Sequence, residues 1–134
     1  MHVEYEYDVN NLVHRVTNYR YVSGQPVQTS AVEYEYDIAN RVTSISHLDA
    51  VDGLIRSLNY TYTDNSEPET ITEDTAGQTG VATTTFTYDD RGRLIREIRT
   101  GLTGEGAYDF EYQYDQGGNR TVKIGGPATM PAGP

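Results

Sequence analysis

An aromatic residue, a polar residue and a tyrosine recur in that order at five places along the chain. The aromatic pairs are Tyr5/Tyr7, Tyr34/Tyr36, Tyr60/Tyr62, Phe86/Tyr88 and Tyr112/Tyr114. Side chains two residues apart lie on one face of a β-strand. The second tyrosines are separated by 29, 26, 26 and 26 residues, and such regular spacing is typical of a repeat protein. The pattern therefore predicts five repeats, each beginning with a strand.

A turn is predicted directly after each of these strands. In four repeats the second tyrosine is followed by Asp, at Asp8, Asp37, Asp89 and Asp115. In the same four repeats Asn or Gly stands four residues after the tyrosine, at Asn11, Asn40, Gly92 and Gly118. These residue types tolerate the left-handed backbone that closes a short hairpin. Alternating apolar residues resume after the turn, so each repeat is predicted to be one up-and-down hairpin.

The predicted fold is all-β, an antiparallel meander of about ten strands that forms a spiralling sheet or a partly closed barrel or shell segment. The predicted repeats, near residues 3–30, 31–56, 57–82, 83–108 and 109–124, make one domain over residues 1–124. Residues 125–134 are rich in Gly and Pro and lack apolar periodicity, which predicts a flexible tail. Pro68 follows the third predicted turn, and we expect a distorted hairpin there because proline donates no ladder hydrogen bond.

The amino-acid composition first points away from a folded protein. Leu, Ile, Val and Phe make up less than a fifth of the chain, and the formal charge is −10, a combination typical of disorder. The chain also has 12 Tyr, and nine of them occupy the repeated strand positions. A tyrosine can bury roughly 150–250 Å², so we interpret the repeated aromatic residues as the core of the sheet. The alternative is an exposed aromatic face that stacks on sugar rings.

Charge and hydropathy exclude several classes of partner and location. The acidic balance argues against a nucleic-acid partner, and no apolar run approaches the roughly 18 residues of a membrane span. The residues after Met1 do not have the pattern of a secretory signal. The absence of Cys excludes disulfides and thiolate metal sites.

The ionisable residues do not form a recognisable catalytic or metal-binding motif. The repeated Asp residues allow either a ladder of calcium ligands or capping of their own turns by the carboxylates, and we favour capping. His2, His14 and His47 share no ligand spacing. The chain has no nucleophile motif of the Gly-x-Ser-x-Gly kind and no phosphate loop. We therefore predict no catalytic residue, no metal, no cofactor and no enzyme activity.

The repeated segments resemble a known family of repeats. Tyr34–Asp37 leading to Asn40, Phe86–Asp89 leading to Gly92, and Tyr112–Asp115 leading to Gly118 look like YD repeats. Such repeats occur in bacterial Rhs and wall-associated proteins, in the shell-forming subunits of Tc toxins and in teneurins. The resemblance covers residues 3–124, and implies hairpins that pair side by side into a spiralling sheet around a toxin or another cargo.

The resemblance implies a structural role without catalysis. We expect a segment or short relative of a YD-repeat shell or fibre, within a protein exported to the cell surface or beyond. The chain contains no Asp-Pro dipeptide and no toxin domain after the last repeat, so neither autoproteolysis nor effector activity is expected. The expected partners are further YD repeats or other copies at the sheet edges, with a toxin cargo or a surface glycan. The alternative is a carbohydrate-binding or adhesion module that uses exposed tyrosines.

Overall fold

The computed structural model describes residues 1–101 and 106–127, and these residues form ten strands and no helix. The strands are β1 (His2–Tyr7), β2 (Val13–Val22), β3 (Gln25–Tyr36), β4 (Val42–Leu48), β5 (Leu54–Tyr62), β6 (Pro68–Thr75), β7 (Ala82–Tyr88), β8 (Leu94–Thr100), β9 (Tyr108–Tyr114) and β10 (Arg120–Pro127). They form one antiparallel sheet in chain order. The predicted all-β meander is confirmed, and of the alternatives the sheet is open rather than closed into a barrel.

The chain divides into two compact units. The first comprises Met1–Tyr60 and Glu73–Gly77, and the second comprises Thr61–Thr72 and Gln78–Pro134. Strands β1 to β4 and most of β5 belong to the first unit, and β7 to β10 belong to the second. The division falls inside the third predicted repeat.

Four hairpins contain a bulge at the same place, beside the second tyrosine. The register shifts occur at Glu6/Tyr7, Glu35/Tyr36, Thr87/Tyr88 and Arg120/Val122. An extra residue in one strand increases the local right-handed twist. The repeat of the sequence is thus also a repeat of backbone geometry.

The interpretation of the tyrosines as a buried core is wrong for most of them. Within the described ranges, the buried side chains are those of Thr17, Ala31, Leu48, Ala82, Thr84 and Tyr112. Tyr34 and Tyr60 are half-buried, and Tyr5 is 57% exposed. The reason is that each unit supplies strands to a single sheet, and a sheet face is buried only when another layer covers it.

The predicted start of the tail at residue 125 is also wrong. Strand β10 continues to Pro127, with Gly125 opposite Phe110 and Pro127 opposite Tyr108. Pairing of this kind uses backbone groups, so it needs no alternation of side chains. Residues 128–134 of the predicted tail lie outside the described residues.

The expected distortion of the third hairpin is absent from its turn. The Thr63 N–H donates to the Glu67 carbonyl at 2.9 Å, as the equivalent groups do in the other repeats. The Glu67 N–H donates in turn to the Thr63 hydroxyl at 3.2 Å. Pro68 is tolerated because it is the first residue of β6, a position where proline is allowed.

Candidate functional site

The turn that follows each second tyrosine has one hydrogen-bond pattern. In the first repeat the Asp8 N–H donates to the Leu12 carbonyl at 2.9 Å, and the Asn11 N–H donates to the Asp8 carbonyl at 3.0 Å. The fourth residue after each tyrosine has a φ between 61° and 85°: Asn11, Asn40, Ser66, Gly92 and Gly118. The predicted left-handed position is therefore confirmed in four repeats, and Ser66 of the third repeat has the same conformation although it is neither Asn nor Gly.

The Asp side chains cap these turns. Asp8 Oδ1 accepts the N–H groups of Asn10 and Leu12 at 2.9 and 2.8 Å. Asp37 and Asp89 each accept the two equivalent groups, and Asp115 accepts the N–H of Asn119. The capping interpretation is confirmed. Across residues 1–101 and 106–127, no three His, Asp or Glu side chains are grouped so as to hold a metal ion.

Two of the capping carboxylates also form ion pairs within their turns. Asp37 Oδ2 lies 2.6 Å from Arg41 Nε, and Asp89 Oδ2 lies 2.6 Å from an Arg93 amino group. Hydrogen bonds from the Arg93 side chain and backbone lower the pKa of Asp89 to about 2. Backbone and side-chain hydrogen bonds from Arg41 likewise lower the pKa of Asp37. The carboxylates are therefore ionised and fully bonded at neutral pH.

The ionised form of Asp89 makes the fold sensitive to acid. Its pKa in the folded state lies below the ordinary value of 3.8, so the stabilisation is present above about pH 4 and is lost as the pH falls towards about 2. We expect Asp89→Asn, which keeps the Oδ1 acceptor but removes the charge, to flatten this dependence. Urea unfolding across that range measures it. The neighbouring Asp90→Asn is the control, and equal slopes for the two variants would contradict the prediction.

A sixth turn of the same kind occurs at the opposite end of the strands, where sequence analysis did not identify the motif. Asp49 Oδ1 accepts the N–H groups of Val51 and Gly53, both at 2.8 Å. Asp52, rather than Gly53, has the left-handed conformation, with a φ of 62°. The signal in the sequence is an Asp four residues before a Gly, but Leu48 stands where the repeats have tyrosine.

The second tyrosines connect consecutive repeats through what we call the tyrosine–carbonyl bond. In three repeats the hydroxyl donates at 2.8 Å to the backbone carbonyl of the first residue of the preceding return strand: Tyr36 to Val13, Tyr88 to Pro68, and Tyr114 to Leu94. Burial raises the pKa of Tyr36 and Tyr88, so both stay protonated as donors at neutral pH. Sequence analysis identified these tyrosines but not their acceptors, which only strand register reveals.

The first aromatic positions do not form a uniform surface. Tyr5 lies opposite Val16, Tyr34 opposite Ile45, Phe86 opposite Glu97 and Tyr112 opposite Lys123. Exposure falls from 57% at Tyr5 to 8% at Tyr112. The flat accessible face that the glycan-binding alternative requires is thus limited to the β1 end of the described chain.

Tyr112 is the centre of a polar and aromatic cluster in the second unit. Its hydroxyl donates to Glu97 at 3.0 Å, and the Tyr108 hydroxyl donates to the same carboxylate. The Lys123 ammonium lies 3.6 Å from the centre of the Phe110 ring, and the Arg120 guanidinium lies 5.4 Å from that of Tyr112. Burial and then the Glu97 carboxylate raise the pKa of Tyr112. These contacts hold strands β8, β9 and β10 together.

The first unit contains a network of charged and polar side chains centred on Arg15. Arg15 pairs with both Glu33 and Asp52, and Gln28 donates to Asp52 at 2.7 Å. Hydrogen bonds from Gln28 and Arg15 lower the pKa of Asp52. The network joins β2 and β3 to the turn between β4 and β5, a long-range contact that spacing alone did not predict.

Comparison with known proteins does not assign the chain to a family. No family model matches the sequence, and no curated protein matches it. Within the described residues, no helix has the length and apolar character needed to cross a membrane.

Proposed function

We propose that this chain is a structural β scaffold, a segment or short relative of a YD-repeat shell or fibre of an exported bacterial protein. In this role it helps to encapsulate or display a toxin and performs no catalysis itself. The observation that carries the proposal is the tyrosine–carbonyl bond, which recurs with one geometry from Tyr36 to Tyr114. A contact made once per repeat joins each hairpin to the one before it, as a wall of stacked hairpins requires.

The interactions of the charged residues support the same structural role. Asp37, Asp89 and Asp115 are occupied by backbone groups of their own turns, and Arg15 and Arg96 are occupied by ion pairs between strands. Catalytic groups must converge on a substrate position. Here these ionisable groups instead either cap their own turns or form ion pairs with neighbouring strands.

The location of the native protein tests the proposal. An antibody against the purified chain is applied to cytosol, envelope and medium fractions of the source cells. We expect signal at the surface or in the medium, in a particle much larger than the 15.0 kDa chain and enclosing protease-protected protein. Antibody pre-absorbed with the chain is the control. Signal confined to a free cytosolic chain would overturn the scaffold proposal.

The exposure of Tyr5 and Tyr7 favours glycan binding as a second candidate function. These side chains are 57% and 56% exposed and lie on one face of β1, where sugar rings can stack on them. A glycan array tests this function with the folded Tyr5→Ala variant. Tyr21→Ala is the matched control, because Tyr21 is also 57% exposed but lies outside the repeated pairs. Binding that survives Tyr5→Ala, or no binding at all, would exclude it.

A further inference from the structure

The first and last strands of the sheet have complementary unused groups. Tyr7 is the second tyrosine of the first repeat. Within residues 1–101 and 106–127 its hydroxyl forms no hydrogen bond, and its side chain is 56% exposed. Arg120 begins the last return strand, as Val13, Pro68 and Leu94 begin earlier ones. Its carbonyl receives no tyrosine hydroxyl from the described part of the chain. One end therefore presents the donor of a tyrosine–carbonyl bond, and the other presents the acceptor.

The pairing between consecutive repeats has a constant register. Opposite residues are Arg15 and Glu33 in β2–β3, Ser44 and Asn59 in β4–β5, and Arg96 and Glu111 in β8–β9. In all three cases the third residue of a return strand lies opposite the residue that is three positions before the second tyrosine of the next repeat. Applied to β10 and to β1 of another copy, this register places Val122 opposite Glu4 and Lys123 opposite Val3. The two strands are antiparallel, as the alternation of the meander requires.

The charges of the two edge strands favour this pairing over the symmetric ones. β1 contains Glu4 and Glu6 and no Lys or Arg, whereas β10 contains Arg120 and Lys123 and no acidic residue. Two β1 strands would place glutamates against glutamates, and two β10 strands would place cations together. Like charges on neighbouring strands are destabilising. The opposite net charges of β1 and β10 thus favour a head-to-tail contact over either symmetric one.

We propose that β10 of one chain pairs with β1 of a second copy, with the Tyr7 hydroxyl donating to the Arg120 carbonyl. This rests on the proposed scaffold function and names its partner as the chain itself. Such a contact leaves a new β10 edge after each addition, so it produces open chains of copies rather than a closed dimer. In the same register Ile124, which is 50% exposed in the single chain, lies opposite His2.

Disulfide trapping tests the register, because the natural chain contains no Cys. Val3→Cys protein is mixed with Lys123→Cys protein, and Glu4→Cys protein with Val122→Cys protein, under mild oxidation. Opposite antiparallel residues alternate between Cα separations of about 4.5 and about 5.5 Å, both within disulfide range. We expect a covalent heterodimer from both mixtures. Val3→Cys with Val122→Cys is the matched control, because these positions lie on opposite faces, and we expect at least about tenfold less product from it.

Light scattering tests the same contact without cysteines. We expect the mass of the wild-type chain to rise with concentration, and Tyr7→Phe to weaken association by about fivefold, as loss of one hydrogen bond of about 1 kcal/mol implies. A monomer at every concentration with no heterodimer, or a dimer of Val3→Cys alone, would overturn the proposal. If the native protein is still found in a surface particle, only the head-to-tail contact is wrong, and the scaffold function stands.

Discussion

Replacing Tyr112 with Ala lowers the free energy of unfolding by about 3 kcal/mol, the largest loss we expect from one side chain. Tyr112 is 8% exposed and is the only tyrosine among the buried side chains of the described ranges. Its ring lies beneath Arg120, and its hydroxyl bonds Glu97. Truncation removes the contacts that the ring makes. The space left behind stays empty, because a single sheet has no second layer of side chains that could move into it. Urea unfolding followed by circular dichroism measures the loss.

Two variants separate the contributions to the Tyr112 effect. Tyr112→Phe keeps the ring and removes the hydroxyl, so we expect a loss of only about 1 kcal/mol. Tyr5→Ala removes the equivalent side chain of the first repeat, which is 57% exposed, and we expect a change within about 0.5 kcal/mol. If Tyr5→Ala and Tyr112→Ala lower the free energy of unfolding equally, the difference in burial between the two tyrosines does not determine their contribution to stability.

Replacing Gly125 with Ala lowers the free energy of unfolding by about 2 kcal/mol and frees β10 from β9. Gly125 has a φ of 117°, and a Cβ atom there would lie 1.9 Å from the Asp109 carbonyl oxygen. A side chain therefore meets both backbone strain of about 1–3 kcal/mol and a clash with a main-chain atom that cannot rotate away. Urea unfolding measures the loss, and amide hydrogen exchange in β10 locates it.

The adjacent glycine is a matched control for Gly125→Ala. A Cβ atom on Gly126 would meet no atom within 4 Å, although Gly126 lies in the same strand and pairs with Asp109. We expect Gly126→Ala to change stability by less than about 0.5 kcal/mol and to leave exchange in β10 unchanged. If both substitutions lower the free energy of unfolding equally, the close approach of the Asp109 backbone to Gly125 is not the cause of the loss.

The spacing of the tyrosines was sufficient to predict the hairpins and their turns. Aromatic residues two apart specify one face of a strand, and the Asp and Asn or Gly that follow specify a turn, because these are local properties of the backbone. The capping role of Asp49 was not predicted, because the capping motif was defined by a preceding tyrosine, which the turn itself does not need. A distortion of the third hairpin was predicted because of Pro68, but its turn is regular because the Thr63 hydroxyl supplies the capping oxygen.

Contacts between repeats could not be predicted from spacing. The acceptors of Tyr36 and Tyr114 are backbone carbonyls 23 and 20 residues earlier, and carbonyls carry no sequence signal. The same holds for Arg15, whose partners Glu33 and Asp52 were only two of many acids in the chain. The continuation of β10 through Gly125 and Gly126 depends on pairing with β9, which residue type alone does not indicate.

The sequence by itself determined the all-β class, the order of the hairpins and the left-handed turn positions, since each follows from interactions within a few residues. The tertiary structure decided how far each tyrosine is buried and which atoms it bonds. Equivalent residues such as Tyr5 and Tyr112 have the same local pattern but different exposure, because burial depends on what the neighbouring strands place over each ring. The repeat specifies the hairpin, and the position of the hairpin in the sheet specifies its environment.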